Sequence, residues 1–264
     1  MHDPALSQTL DALRDAYLAL FRGLEGGSGL ASADEGDIAW GMTPLPIGAF
    51  NRVVRIRLSH EGTDARIRQV EDRYRAAGVP ESWWIDPLST PSDLAERLER
   101  MGYVSEAVPA MRIEAPDVPE LELPSGVTLS WATHPDSVRA AMRLVGEGFG
   151  LPDELGRRMA DLIAPLGRAD GPVRTVVARL DDKAVAVAQG VDAGGAVGIY
   201  NVATLKPARG QGIGAAVTVA VLRDAMARGA RFGVLESSDL GHPVYQRIGF
   251  RDVASFRVYG RPEA

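Results

Sequence analysis

The sequence predicts an α/β fold: a mixed, mainly antiparallel sheet flanked by helices, preceded in the chain by a second α/β domain. Three observations carry this. Apolar residues recur at helical spacing in some segments and form short β-type runs in others, so both element types are present. Three apolar strands, residues 174–180, 183–191 and 197–204, have Asp181-Asp182 and Ala193-Gly194-Gly195 lying between them. Turns this short join antiparallel neighbours, because a parallel pair needs a crossover. The third strand then runs through a glycine loop, Arg209-Gly210-Gln211-Gly212-Ile213-Gly214-Ala215, into an Ala/Val-rich helix over residues 215–227.

In the first half, Leu6, Leu10, Leu13, Tyr17, Leu20 and Phe21 fall on one helical face that ends at Gly23. The Gly/Ser run at 26–29 reads as a loop, and residues 37–42 and 51–58 as strands. Residues 65–77 form a helix stopped by Gly78. Trp83-Trp84-Ile85 is a short apolar strand, Pro91-Ser92-Asp93 opens a helix that stops at Gly102, and residues 103–113 return as a strand. Three prolines and four acids crowd residues 114–126, which reads as an extended linker. The domain boundary falls there, giving an N-terminal domain at 1–122 and a C-terminal one at 123–264.

The second half opens with a strand at 127–131 and helices at about 136–147 and 152–166, before the meander and the glycine loop. A strand at 232–236, a short helix at 243–248 and a last strand at 250–259 complete it. Trp84-Ile85-Asp86, a helix, Met101-Gly102-Tyr103 and a strand echo Val234-Leu235-Glu236, a helix, Ile248-Gly249-Phe250 and a strand. The N-terminal domain therefore reads as a degenerate copy of the C-terminal one or as an unrelated α/β unit.

Composition narrows the function. The 264 residues are 45% hydrophobic and 24% charged, ordinary for a globular protein with a full core. No apolar run is long enough to span a bilayer, and Met1-His2-Asp3-Pro4 lacks the basic and apolar regions of a secretory leader, so a cytoplasmic location is expected. The absence of cysteine excludes disulfides, thiolate metal sites and cysteine nucleophiles, and the four histidines show no ligand spacing, so no metal is expected. A net charge of −6 argues against general nucleic-acid or membrane-surface binding. Residues 1–122 carry 12 Arg and no Lys against 21 acids, whereas residues 123–264 carry 17 basic against 14 acidic residues, which suits an anionic ligand on the second half.

The glycine loop is where such a ligand belongs. A loop without side chains at a helix start exposes backbone N–H groups and the positive end of the helix dipole. Gly210-x-Gly212-x-x-Ala215 formally fits a dinucleotide fingerprint, with Glu236 as a ribose-binding acid. Three features disfavour a nicotinamide-dependent oxidoreductase: the hairpins before the loop, the spacer Leu205-Lys206-Pro207-Ala208-Arg209, and the short tail after Glu236. A P-loop is excluded by the lack of Gly-Lys-Ser/Thr.

Arg209-x-x-Gly212-x-Gly214 instead resembles the Q/R-x-x-G-x-G/A signature of the GCN5-related N-acetyltransferases. Tyr245-Gln246-Arg247-Ile248-Gly249-Phe250 is similar to that family's Tyr-x-x-x-Gly-Phe segment, and the order of elements over residues 127–259 matches as well. The resemblance implies an acetyl-CoA-dependent N-acetyltransferase that moves the acetyl group directly onto a primary amine of a small molecule or peptide. It implies that Arg209, Gly210, Gln211, Gly212, Ile213, Gly214 and Ala215 cradle the pyrophosphate of coenzyme A. It also implies that Val202, Ala203 and Thr204 pair with the pantetheine arm, and that Tyr245 protonates the leaving thiolate as general acid. Where an asparagine is common in the family this chain has Ser238, and where an alanine is common it has Gly241, so a cofactor contact is expected of Ser238 in altered form. Glu147, Glu236, Asp239 or a water chain are open as the general base. His134 and His242 read as turn or cap residues, and the acceptor is expected between the helices near Gly148-Phe149 and the first domain, with Trp83 and Trp84 as wall or core. The repeat aligns Leu98 with Tyr245, so the first half has no acid of its own. A non-catalytic module that binds coenzyme A is the alternative.

Overall fold

The computed structural model describes residues 4–24 and 29–262; most of the predicted loop at 26–29 lies outside them. Seven α-helices and eleven strands alternate along the described chain. The first half contains α1 (Pro4–Gly23), β1 (Ala31–Asp34), β2 (Ala39–Met42), β3 (Arg52–Val54), α2 (Thr63–Ala77), β4 (Ser82–Ile85), α3 (Leu94–Arg100) and β5 (Val104–Glu114). The second contains β6 (Val127–Ala132), α4 (Pro135–Phe149), α5 (Asp153–Ile163), β7 (Val173–Leu180), β8 (Lys183–Asp192), β9 (Ala196–Thr204), α6 (Ile213–Ala227), β10 (Phe232–Glu236), α7 (His242–Ile248) and β11 (Arg251–Gly260).

All the strands join one 11-stranded sheet in the order β1-β2-β3-β4-β11-β5-β10-β9-β8-β7-β6. The last strand of each half is exchanged. β5 leaves its own half to pair antiparallel with β10, and β11 crosses back to pair antiparallel with β4. The two exchanged strands pair with each other through the middle of the sheet, with Phe256 opposite Val108. The repeated pattern in the sequence thus occupies equivalent places: β4 meets β11 as β10 meets β5. β3–β4 and β9–β10 are the two parallel pairs among the described named strands, and the predicted meander β7-β8-β9 is antiparallel.

Helices cover both faces of the sheet. Along β8, Val187 and Val191 enter a core with Leu13 and Tyr17 of α1, Met142 of α4 and Met159 of α5. Ala186 and Ala188 point the other way, into a core with Val217, Val221 and Leu222 of α6. A third core gathers Ile67, Tyr74, Trp83 and Leu98 around α2 and α3. α1 therefore belongs to the first half but packs on the sheet of the second. Gly198 on β9 permits this, because a Cβ there would stand 2.6 Å from Ala16 Cβ.

Local differences from the sequence reading have physical causes. The expected strand at 51–58 stops after Val54, where Arg55 takes a left-handed φ of 48°. β1 was not expected: in Ala-Ser-Ala-Asp the alternating apolar residues are only alanines, a weak strand signal, and the segment gains its place by pairing with β2. The segment after β5 is docked along the protein, where Arg223 of α6 bonds Pro119 O at 2.8 Å and Glu120 at 2.6 Å.

Candidate active site

A cavity of about 2100 Å³ runs from the glycine loop across the open edge of β9 to the first half. Its opening comes from the sheet itself. β9 and β10 pair only from Ala196 to Gly198 against residues 232–234, so beyond Gly198 the two strands part. Polar backbone groups of β9 that face away from β8 then lack a strand partner over residues 199–204. A bulge marks the divergence: the β8–β9 register shifts between Val187 and Gln189, and Asn201 sits at φ 50°. Asn201 Nδ2 donates to Gln189 Oε1 at 2.6 Å, and Gln189 Nε2 donates to Thr175 Oγ1 at 2.8 Å, which fixes the bulge. Val202, Ala203 and Thr204 lie on this edge and line the cavity.

The glycine loop closes one end. Gly210 and Gly212 both adopt φ 77°, and Gly212 is the residue before the first turn of α6. The consecutive backbone N–H groups from Gly210 to Ala215 have no acceptor among the described residues, while Ala216 N–H reaches Gly212 O at 3.0 Å and starts the helical ladder. Such a row of unpaired donors, ahead of the positive end of a fifteen-residue helix, is an arrangement that favours an anion. Gly214 must also be small, since a Cβ would lie 3.1 Å from Thr204 Oγ1.

Arg209 does more than add charge beside the loop. Its Nε donates to Thr204 O at 3.0 Å and its Nη2 to Gly148 O at 2.9 Å, tying the end of β9 to the end of α4. Gln211 Nε2 donates to Pro207 O at 3.4 Å, which places it on the loop's outer side.

On the opposite wall, Tyr245 projects from α7 and lines the cavity. Its ring packs edge-on against Phe250 at 5.8 Å and lies across Gly241, where a Cβ would stand 2.8 Å from Tyr245 Cε2. The hydroxyl has no hydrogen-bond partner among the described residues and is not sealed from solvent. Burial of the ring pushes the phenol up to about 12. Ser238 also borders the cavity, and its Oγ accepts the Gly241 N–H at 3.3 Å, so it shapes the turn into α7.

Of the acids singled out in the sequence, Glu236 and Asp239 line the cavity, and Glu147 is an exposed residue of α4 outside it. His134 precedes α4, where its N–H donates to Ser137 Oγ at 3.1 Å, and His242 pairs with Asp252 at 2.8 Å; neither lines the cavity. Trp84 forms part of the cavity wall, whereas Trp83 is fully buried in the core of the first half.

Several residues that matter here were not marked by the sequence. Arg52 of β3 crosses to the second half and bonds Glu236 at 2.5 Å, with Arg52 11% and Glu236 10% exposed in their side chains. Its guanidinium lies 3.9 Å from the Trp84 ring and 5.2 Å from the Tyr17 ring. Despite burial, the Glu236 carboxylate holds Arg52 above its ordinary range. Tyr17 and Tyr200 flank the pair, and burial drives both phenols far above theirs. The one available signal was Asn201, an amide poorly suited to a strand interior.

Residues 120–239 match the family of acetyltransferase (GNAT) domains. No curated protein matches the sequence significantly. Among solved structures, the chain is similar to a GCN5-related N-acetyltransferase from Kribbella flavida, with 21% identity, 96% of each chain covered and a TM-score of 0.72. It is similar to a GCN5-related N-acetyltransferase from Sphaerobacter thermophilus, with 22% identity, 99% of this chain and 93% of that chain covered, and a TM-score of 0.63. A tandem GNAT protein from the clavulanic acid biosynthesis pathway superposes at 14% identity, over 98% of this chain and 96% of that one, with a TM-score of 0.62. These likenesses extend across both halves and concern the fold.

Proposed function

From the match of residues 120–239 to the GNAT acetyltransferase domain we propose that the protein transfers an acetyl group directly from acetyl-CoA to a primary amine. The unpaired N–H row from Gly210 to Ala215 carries the reading, because it suits a pyrophosphate and lies beside the edge of β9 that lacks a partner. In this reading residues 123–264 form the catalytic half. Among the described residues of 1–122 there is no comparable loop, and this half contributes walls to the acceptor end.

The donor lies as an added strand along Val202, Ala203 and Thr204, with its phosphates on Arg209-Gly210-Gln211-Gly212-Ile213-Gly214-Ala215 and Ser238 near the turn into α7. The cavity volume exceeds the roughly 300–1000 Å³ of a site for one small ligand, which leaves room for an acceptor beside the donor. An arriving ammonium must lose a proton before it attacks the thioester carbonyl. Glu236 and Asp239, two of the acids that line the cavity, stand on the segment leading into α7 and are the candidates to receive it. Tyr245, neutral with a pKa of about 12, donates a hydrogen bond to the sulfur as the carbon–sulfur bond breaks. An ordinary thiol ionises at about 8.5, so the phenol passes on a proton released from the amine rather than surrendering its own for long.

The test is a thiol-release assay with acetyl-CoA and a panel of primary amines. Release that depends on an amine, with N-acetyl product seen by mass spectrometry, is the expected result. Binding of acetyl-CoA with no transfer to any amine or peptide would favour the non-catalytic module. A site that binds NADH and ignores acetyl-CoA would restore the oxidoreductase reading, against which the antiparallel meander before the loop already argues.

A further inference from the structure

The floor of the acceptor end is an ion pair that uses only half of each partner. Glu236 Oε2 receives Arg52 Nη1, and Arg52 Nε donates to Ala49 O at 2.7 Å. Arg52 Nη2 and Glu236 Oε1 have no hydrogen-bond partner among the described residues, and neither is sealed away from solvent. Both residues line the large cavity; the second cavity they border, of about 20 Å³, holds no more than a water molecule. The cavity therefore presents a free cationic donor and a free anionic acceptor side by side, on two side chains that are about nine-tenths buried.

A ligand fitted to this floor carries the opposite pair: an amine for the carboxylate and a carboxylate for the guanidinium. A simple amine leaves Arg52 Nη2 desolvated without a partner, which is unfavourable in a buried site. Next to the pair the wall turns apolar. Tyr17, beside Arg52, packs edge-on against Phe21 at 5.1 Å, and Phe21, Leu20 and Phe50 continue along the cavity.

We propose that the acceptor is an α-amino acid with an apolar side chain, its carboxylate held by Arg52, its amine by Glu236 and its side chain against Phe21 and Leu20. The proposal rests on the acetyl-transfer reading. The amino acid enters as an ammonium and gives one proton to Glu236, which returns it to solvent. The nitrogen lone pair then forms the new bond to the thioester carbon, the carbon–sulfur bond breaks with its electron pair on sulfur, and a second nitrogen proton reaches sulfur through Tyr245. The products are an N-acetyl amino acid, free coenzyme A and one proton. Arg52 thereby makes the first half a specificity element for chemistry performed by the second.

The experiment compares kcat/KM for phenylalanine, phenylalaninamide and phenethylamine, and for leucine and isopentylamine, with acetyl-CoA binding measured alongside by calorimetry. Each amino acid is expected to exceed its counterparts lacking the carboxylate by about 10- to 100-fold, the scale of one charge-assisted hydrogen bond. Arg52→Lys, which keeps a cation beside Glu236 but loses the planar fork, is expected to bring that ratio toward unity with acetyl-CoA affinity retained. Equal rates for acid, amide and amine, or an unchanged ratio in Arg52→Lys, overturn the proposal. Bound acetyl-CoA with no turnover of any amino acid overturns it too, whereas failure to bind acetyl-CoA overturns the acetyl-transfer reading beneath it.

Discussion

Replacing Gly212 by alanine separates the two roles of the glycine loop. At φ 77° the residue sits in the left-handed region, and an added Cβ would meet only Pro124 Cγ at 3.8 Å, an ordinary contact. The cost is therefore backbone strain rather than collision, about 1–2 kcal/mol for an L-residue. For a protein of this size, that lowers Tm by roughly 2–8 °C. Relief of the strain rotates the peptide and turns an N–H away from the anion site. Loss of one charge-assisted hydrogen bond of about 1.5–3 kcal/mol weakens acetyl-CoA by about 10- to 100-fold. Gly229→Ala is the control: it lies just beyond the other end of α6 at φ 99°, with nothing within 4 Å of the added Cβ. It carries similar strain and no ligand, so it should lower Tm without changing acetyl-CoA affinity. Thermal melts and calorimetry read both quantities. A Gly212→Ala protein that melts early but binds acetyl-CoA as the parent does would refute the anion site. Equal losses of affinity in both variants would show that strain alone accounts for the effect.

Tyr245→Phe should lower kcat by about 10²- to 10⁴-fold, the usual weight of a positioned proton donor, with little change in acetyl-CoA Kd; an unaltered kcat removes the phenol from the chemistry. Gly241→Ala should also reduce kcat, because its Cβ displaces the Tyr245 ring 2.8 Å away; a crystal structure with the ring unmoved would contradict this. Tyr17, Tyr74, Tyr103, Tyr200 and Tyr245 all have phenols raised above the ordinary value of 10.0, chiefly by burial. The folded chain therefore keeps protons that the unfolded chain loses above pH 10, so stability falls as pH rises past that point. Tyrosinate absorbance should stay low in the native protein at pH 10, where about half the phenols of the unfolded chain ionise; equal absorbance in the two states would refute the assignment.

Much of the second half was legible because local chemistry fixed it. The turns at Asp181-Asp182 and Gly194-Gly195, all at positive φ, dictated the meander. Gly249 at φ 115° ends α7, just past the short helix expected at 243–248. The loop at 209–215 and Tyr245 were marked through the family resemblance, and Gly210, Gly212 and Tyr245 line one cavity with Val202 and Thr204. The exchange of β5 and β11 was not legible, since apolar alternation says which face of a strand is buried but not which strand lies beside it. Arg52 was hidden for a related reason. An arginine opening a strand reads as a surface charge, and only the exchange that joins the halves sets it against Glu236. The opening between β9 and β10 likewise depends on where parallel pairing ends, a property of two strands rather than of either sequence.

The central claim is that the parted strands and the glycine loop form an acetyl-CoA site, and calorimetric titration of the intact protein with acetyl-CoA tests it most directly. Expected is one saturable site with affinity far tighter than millimolar, sharply weakened in Gly212→Ala and preserved in Gly229→Ala. Absence of heat and of any thermal stabilisation at millimolar acetyl-CoA would contradict it.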